Sequence, residues 1–357
     1  MRLVEVYYII FTVFLNFIIT AKVRDTYMIF SREIGIDLGT SNTVVTDKKG
    51  HIIINEPSVV AVDVKSKRVL ATGSEAKNMI GRTPGSIVAV RPITAGVIAD
   101  FDMTADMLHD FIDRSSRKGI FTKTKVVISV PSSVTEVERR AVEDAVRSAG
   151  AQDVELIEAP MAAALGAGLP VFEATGSMIV DIGGGTCDIA VVSLGGIAAS
   201  KSIKMGGGAF DEAIIANLKR KHNLLIGENT AEDIKIKIGS AKEYDGEAVM
   251  EVRGRNLNDG LPGSVELSSS DVRLILEDCV SAIILAIKET LEVTLPELAA
   301  DIIDRGIYLT GGGAQLRGLR EAIEEAIKIP VILPENPADC VALGTSVKLK
   351  RAMSGAK

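Results

Sequence analysis

The residues best suited to chemistry are Asp181-Ile182-Gly183-Gly184-Gly185-Thr186-Cys187-Asp188. They follow the apolar run Ser177-Met178-Ile179-Val180 and lead into Ile189-Ala190-Val191-Val192. Two runs rich in β-branched residues joined by a glycine-rich bend predict a β-hairpin. Three successive glycines leave backbone N–H groups uncovered, so an anionic group can approach them closely. Asp181 and Asp188 would repel a bare phosphate but suit one that arrives with a divalent cation. Taken alone, such a bend also serves as a tight turn between core strands.

A second stretch of the same plan lies far upstream. Ile34-Gly35-Ile36-Asp37-Leu38-Gly39-Thr40-Ser41-Asn42-Thr43-Val44-Val45 again reads strand, turn, strand, with an aspartate before the turn. Recurrence at that distance predicts a duplicated domain rather than a local repeat. A third glycine-rich element, Thr310-Gly311-Gly312-Gly313, follows the strand run Gly306-Ile307-Tyr308-Leu309 and enters a helix near Gln315. Without side chains, its backbone would let a flat adenine or a ribose lie against it. Two Asp-bearing hairpins facing each other could grip a nucleotide's phosphates from both sides, with a metal between the carboxylates. This differs from the Walker loop, since no GxxxxGK[ST] occurs in the chain.

The elements that must position these loops read as two α/β halves with a cleft between them. Ile52-Ile53-Ile54 and Val59-Val60-Ala61-Val62 continue as strands, and residues 64–99 are turn-rich and read as a small subdomain. Met107, Leu108, Phe111 and Ile112 recur at helical spacing. Val126–Val130 is a buried-strand run ended by Pro131. Thr135 and Glu138 predict a capping box for a helix through Ala149, with Val137, Ala141, Val142, Ala145 and Val146 as its apolar face and Gly150 at its end. Val154–Ile157 is a further strand, and Pro160 opens a small-residue helix at its first position. Phe210–His222, Ala231–Ala241 and Asp271–Leu291 read as helices.

A chain of 357 residues is long enough for two core-bearing units. Its formal net charge of −7, with no basic arm or zinc-finger spacing, argues against nucleic acid as a partner. Cys187, Cys279 and Cys340 stand outside any CxxC pair, which suits a reducing cytoplasm and excludes a disulfide framework or a zinc site. His51, His109 and His222 are scattered and suggest neither a ligand set nor a triad. Residues 1–27 carry the nearly uncharged run Val6–Ile19 between Arg2 and Lys22. That run falls just short of the roughly 17–25 residues that span a bilayer. A short membrane anchor, a signal sequence and a misplaced start remain open readings. Met28, directly before the first strand, favours the misplaced start.

At these residues the chain resembles the actin/Hsp70/sugar-kinase ATPase superfamily and, within it, the bacterial actin-like MreB/Mbl cell-shape family. The closer likeness rests on Gly35–Thr43, Asn55-Glu56-Pro57-Ser58-Val59, Ala76–Gly81, Gly96–Phe101, Val137–Arg140, Pro160–Ala164 and Gly306–Gly313. It spans Met28 to about Thr345. The resemblance implies an actin-like ATPase fold, with two RNase H-like α/β domains flanking a nucleotide cleft. The first would comprise 28–167 plus 340–357, with a small subdomain over about 60–104; the second would comprise 168–339, with one over about 208–275. It also implies ATP with Mg²⁺ as cofactors. Filaments of paired protofilaments would form on the inner face of the cytoplasmic membrane, with the cell-wall elongation machinery as partner.

Carried over by position, Thr40, Ser41 and Asn42 match the first phosphate loop, and Gly184, Gly185 and Thr186 the second. Glu232, Asp233, Ile234 and Lys235 match a nucleoside-contacting helix; without the resemblance, those charges read as a solvated helix face. Thr310, Gly311, Gly312 and Gly313 match the adenine-side loop. Asp37 and Asp181 would hold Mg²⁺ through waters, since Mg²⁺ dehydrates reluctantly.

Three departures bear on catalysis. The family usually has Glu-Glu-Pro-Met where this chain has Glu158-Ala159-Pro160-Met161, so the carboxylate that positions the attacking water is replaced by the methyl of Ala159. Glu158 makes a poor substitute, because one step along the chain turns its side chain elsewhere. Cys187 stands where Thr is common and Gly208 where Asp is common, whereas Thr186 is kept. ATP binding with slow or absent hydrolysis is the expectation. Separately, Arg114–Lys125 sets Ile120 and Phe121 among basic residues. That pattern suits either a tip folded back on the core or one inserted into anionic lipid, and the resemblance favours the membrane. Rival functions on the same fold are a sugar- or acetate-kinase-like phosphotransferase and a chromosome- or plasmid-segregation actin.

Overall fold

A computed structural model describes residues 31–115 and 123–354. The 1–27 segment, Ile120 and Phe121 lie outside the described residues. Two five-stranded sheets form the frame, each built on one of the Asp-bearing hairpins. In space the first runs Asp153–Glu158, Lys123–Val130, Ser31–Leu38, Asn42–Asp47, Ile52–Pro57. The second runs Gly196–Ile203, Cys187–Ser193, Ser177–Ile182, Ile307–Thr310, Val331–Ile332. Numbered within its own sheet, each has the order 3-2-1-4-5. An antiparallel meander supplies three strands, and crossovers add two parallel ones. The repeated plan read from the two aspartates is therefore a repeated topology.

Ser177–Ile182 is buried at every position, as a strand covered on both faces must be. On one face Met178, Val180 and Ile182 meet Phe210, Ile214 and Ile283 from the helices Gly207–His222 and Ser269–Glu292. In the first sheet Ile34, Ile36, Val126 and Ile128 pack on Met107, Leu108 and Phe111 of the helix Phe101–Arg114. A third cluster joins the sheets. Val127 of one and Ile179 and Ala190 of the other meet the helices Ala159–Gly166 and Cys340–Ser354. These two helices touch through backbone. An added Cβ at Gly166 would lie 1.8 Å from the Cys340 carbonyl oxygen, and one at Gly344 1.8 Å from that of Ala162. That contact accounts for the small-residue composition.

The capping box forms as expected. The Glu138 N–H donates to Thr135 Oγ1 at 3.3 Å and the Thr135 N–H to Glu138 Oε2 at 2.8 Å. Val137, however, is 79% exposed and not on the buried face. Five positions from buried Val142, it stands about 140° round the helix. Pro160 occupies the second helical position, behind Ala159. The turn-rich stretch contains a helix, Gly73–Met79, over a small sheet of Val69–Thr72, Val60–Asp63 and Ile87–Val90. The glycines after Thr310 form a 3-10 turn, Gly312–Gln315, and the helix begins only at Leu319. Among the described residues no helix is long and apolar enough to cross a membrane.

Candidate functional site

The two hairpin turns meet tip to tip. An added Cβ at Gly184 would lie 2.0 Å from Ser41 Oγ, and one at Gly185 2.5 Å from Thr40 Oγ1. The second loop is therefore glycine because the first fills the space with hydroxyls. Thr40 Oγ1 also accepts from the Gly96 N–H at 2.9 Å, which ties the first loop to the turn before Val97–Ile98. The second loop is closed by the Gly183 N–H donating to the Thr186 carbonyl at 2.9 Å. The Gly207 and Gly208 N–H groups, at the start of the helix Gly207–His222, donate to the Gly183 and Gly184 carbonyls at 2.9 and 2.8 Å. In a trans peptide the N–H points opposite to the C=O. The amides of Gly184 and Gly185 consequently face away from that helix, in the arrangement that receives an anion.

Asp37 and Asp181, each the last residue but one of its strand, lie at the foot of this junction. Ser129 Oγ donates to Asp37 Oδ1 at 2.7 Å, yet burial and the nearby Asp339 push the Asp37 carboxyl up to about 6. Asp181 is only 7% exposed, and burial, then Asp37 and Asp188, push it up to about 8, against a 3.0 Å hydrogen bond from Thr310 Oγ1. Asp188 pairs with Asp181 in register and is likewise raised by burial, against hydrogen bonds from Ser202, Thr186 and Ser132. Burial makes the charged form of each of these carboxyls costly, and a cation between Asp37 and Asp181 would offset that cost. Among the described residues no group of three or more His, Cys, Asp or Glu is arranged to hold a metal. Two hard carboxylates thus fit a divalent cation whose remaining ligands come from phosphate and water.

A cavity of about 240 Å³ opens over these carboxylates, lined by Asp37, Ser41, Asn42, Asp181, Gly184 and Gly311–Gly313, with Glu232, Lys235 and Ile236 on its far wall. Thr310 lies beneath it, fully buried. A second cavity, about 380 Å³, shares Ser41, Gly184, Glu232 and Lys235 and reaches Gly185, Arg91 and Lys204. The run 232–235 divides. Glu232 and Lys235, three apart on the helix Glu228–Ile238, share the cavity face. Ile234 is fully buried in the core, and Asp233 pairs with Lys237 at 3.3 Å on the exposed side. Lys235 Nζ is anchored by the Asp211 carboxylate at 2.9 Å and the Gly207 carbonyl at 3.0 Å. Glu232 accepts from Lys77 Nζ at 2.8 Å, which joins this helix to Gly73–Met79.

Cys187 is not part of the cleft. It alternates with Asp188 along the strand, so its side chain enters the core beside Ile182 and Ile189, where burial pushes the thiol well up. Its replacement of Thr is a packing matter. Ala159 brings only a methyl, and Glu158 leans toward Arg139 at 3.7 Å. Sequence reading missed Ser129, Asp211, Lys77 and Ile236. The first three are recognisable only as partners of other side chains. Ile236 had a signal, an isolated apolar residue on a charged face, and it is 69% exposed at the cavity mouth.

Comparison with known proteins places this geometry among relatives. Residues 31–356 match the family model described as MreB/Mbl protein. The cell shape-determining protein Mbl of Bacillus subtilis is 50% identical over 320 residues, covering 90% of this chain and 96% of Mbl. The cell shape-determining protein MreB of Escherichia coli K12 is also 50% identical, covering 88% of this chain and 92% of its own. The crystal structure of MreB5 of Spiroplasma citri bound to AMPPNP superposes with a TM-score of 0.86 at 36% identity, covering 92% of this chain and 99% of that one. The MamK double helical filament, at 22% identity, shares the fold with a TM-score of 0.76, covering 89% of this chain and 98% of its own.

Proposed function

The chain belongs to the MreB/Mbl family, and we propose that it is an actin-like cytoskeletal protein whose nucleotide-dependent filaments help set cell shape. The observation that carries the reading is the meeting of two Asp-bearing turns, one offering hydroxyls and the other bare amides, over a pair of buried carboxylates. Related MreB5 has been crystallised with AMPPNP and with ADP, and the fold is shared with a protein seen as a double helical filament. In this reading Thr40, Ser41, Asn42, Gly184, Gly185 and Thr186 hold the phosphates of ATP. Gly311–Gly313, Ile236, Glu232 and Lys235 hold the nucleoside. Asp37 and Asp181 hold Mg²⁺ through water, which supplies charge neutralisation at the phosphates. The lobes are 28–167 with 340–357, and 168–339. The separate sheets support that division, and the paired helices Ala159–Gly166 and Cys340–Ser354 act as the hinge-side floor.

Hydrolysis is slow in this reading because a methyl at 159 accepts no hydrogen bond from water. Loss of such a group commonly costs about 10²–10⁴-fold. Ala159→Glu therefore raises phosphate release by at least about 10-fold; equal rates from the two proteins would refute this assignment. Ile120 and Phe121 with the flanking cations bind the inner face of the cytoplasmic membrane, and the wall-elongation machinery is the partner there. Electron microscopy with ATP and anionic liposomes tests the whole. Lipid-bound filaments are expected. Changing Ile120 and Phe121 to Ser in a protein beginning at Met28 should free the filaments from lipid. Monomers that phosphorylate a small molecule would favour a phosphotransferase instead.

A further inference from the structure

We propose that Asp188 is a positioning residue for ATP cleavage, holding the Thr186 hydroxyl so that its oxygen can only accept a hydrogen bond from the reacting water. The inference rests on the reading of the cleft as an ATP site. Thr186 Oγ1 donates to Asp188 Oδ2 at 2.9 Å. A threonine hydroxyl has one proton to give. With that proton committed to a carboxylate, what the oxygen offers toward the cleft is lone pairs, and a water O–H is the donor they can take. An acceptor for water is what Ala159 fails to supply. Thr186, at the tip of the second loop, is the nearest group on that loop with a side chain to do it.

The carboxylate is itself fixed. Asp188 is 1% exposed, paired across the hairpin with Asp181 and on its other side with Ser202. Ser132 Oγ donates to Asp188 Oδ1 at 3.3 Å. The two oxygens are thus divided, one toward Thr186 and the other toward a residue just beyond the strand Lys123–Val130 of the first sheet. That second hydrogen bond runs between the sheets, so the orientation of Thr186 depends on how the halves meet. Packing restrains Thr186 as well, since an added Cβ at Gly96 would lie 3.4 Å from its Cγ2.

In the step served, the water oxygen bonds to the γ-phosphorus as the bond from that phosphorus to the β,γ-bridging oxygen breaks. The bonding electrons leave with ADP, and the water's protons end on inorganic phosphate and solvent. Asp188 and Thr186 take no proton; they set the water's direction.

The test is a double-mutant cycle in the full chain with Asp188→Ala, Thr186→Val and both together. Single-turnover phosphate release and ATP affinity are measured for each. Thr186→Val should slow release about 100-fold and Asp188→Ala about 10-fold or more, with the affinity of the Asp188→Ala protein changed less than about 3-fold. The double variant should be no slower than Thr186→Val, because the two residues act as one unit. Asp188→Asn, which keeps an acceptor oxygen in a side chain of the same shape, should recover most of the rate and guards against a folding defect in Asp188→Ala. Release by Asp188→Ala at the natural rate, or a double variant slowed by the product of the single effects, overturns the proposal. A natural chain that binds ATP and never cleaves it overturns this proposal alone, whereas one that binds no ATP overturns the reading of the cleft as well.

Discussion

The two Asp-bearing hairpins share a topology and differ in almost everything else. The first carries side chains at its tip, Thr40 and Ser41, and the second carries Gly184 and Gly185 directly against them. The aspartates differ too. Each accepts from one hydroxyl, Ser129 or Thr310, but Asp37 is raised to about 6, whereas Asp181, pushed by burial and by the charges of Asp37 and Asp188, is raised to about 8. A duplicated unit that must face its own copy cannot keep both loops alike. Two hydroxyl-bearing tips would collide, and two glycine tips would leave a gap. The difference between the halves is the complementarity that makes the site.

The largest expected effect breaks that complementarity. Gly184→Val forces carbon into the space of Ser41 Oγ, where even a Cβ would stand 2.0 Å away. Overpacking of this kind costs about 1–3 kcal/mol, and nucleotide titration should show affinity reduced at least about 100-fold. Adding Ser41→Gly should restore part of both losses. Normal binding by Gly184→Val alone would show that the tips do not interlock.

The second prediction separates the aspartates by pH. A carboxyl whose folded-state pKa lies above its ordinary 3.8 gives the fold its full stability below that ordinary value, and the stability is lost as pH rises toward the folded value. In nucleotide-free protein Asp181 therefore lowers the melting temperature progressively up to about pH 8, and Asp37 only up to about pH 6. Asp181→Asn should flatten a decline of a few degrees between roughly pH 6 and 8. Asp37→Asn should alter only the more acidic part. Identical melting profiles for the two variants would erase the distinction.

The smallest effect concerns the ion pair of Lys77 with Glu232, whose side chains are 30% and 34% exposed. Exposed pairs contribute about 0–1 kcal/mol, so Lys77→Ala should shift the melting temperature by less than about 4 °C. A larger shift in a thermal scan would make this contact a main brace between the lobes rather than a weak link.

Much of the fold was legible because its signals are local. Buried strands read as continuous β-branched runs, the Thr135–Glu138 cap uses residues three apart, and the repeated Asp-turn pattern disclosed the duplication. Short elements escaped, as with Gly73–Met79, where seven residues give too little periodicity to register. Within the site the loop residues were legible, but their neighbours were not. Glu232 and Lys235 were separated from Asp233 and Ile234 only by which face of the helix meets the cleft.

The sequence by itself determined the hairpins, their aspartates and glycines, and the missing carboxylate at Ala159. Backbone conformation and residue chemistry are properties of neighbours along the chain. Tertiary structure alone decided that Cys187 belongs to the core and Asp188 lies buried beneath Thr186, that Ser132 reaches Asp188 from the other sheet, and that Gly184 is glycine because of Ser41. Each of these joins a residue to a partner 56 positions or more away or to one face of a sheet, and such distances are set by packing rather than by spacing in the chain.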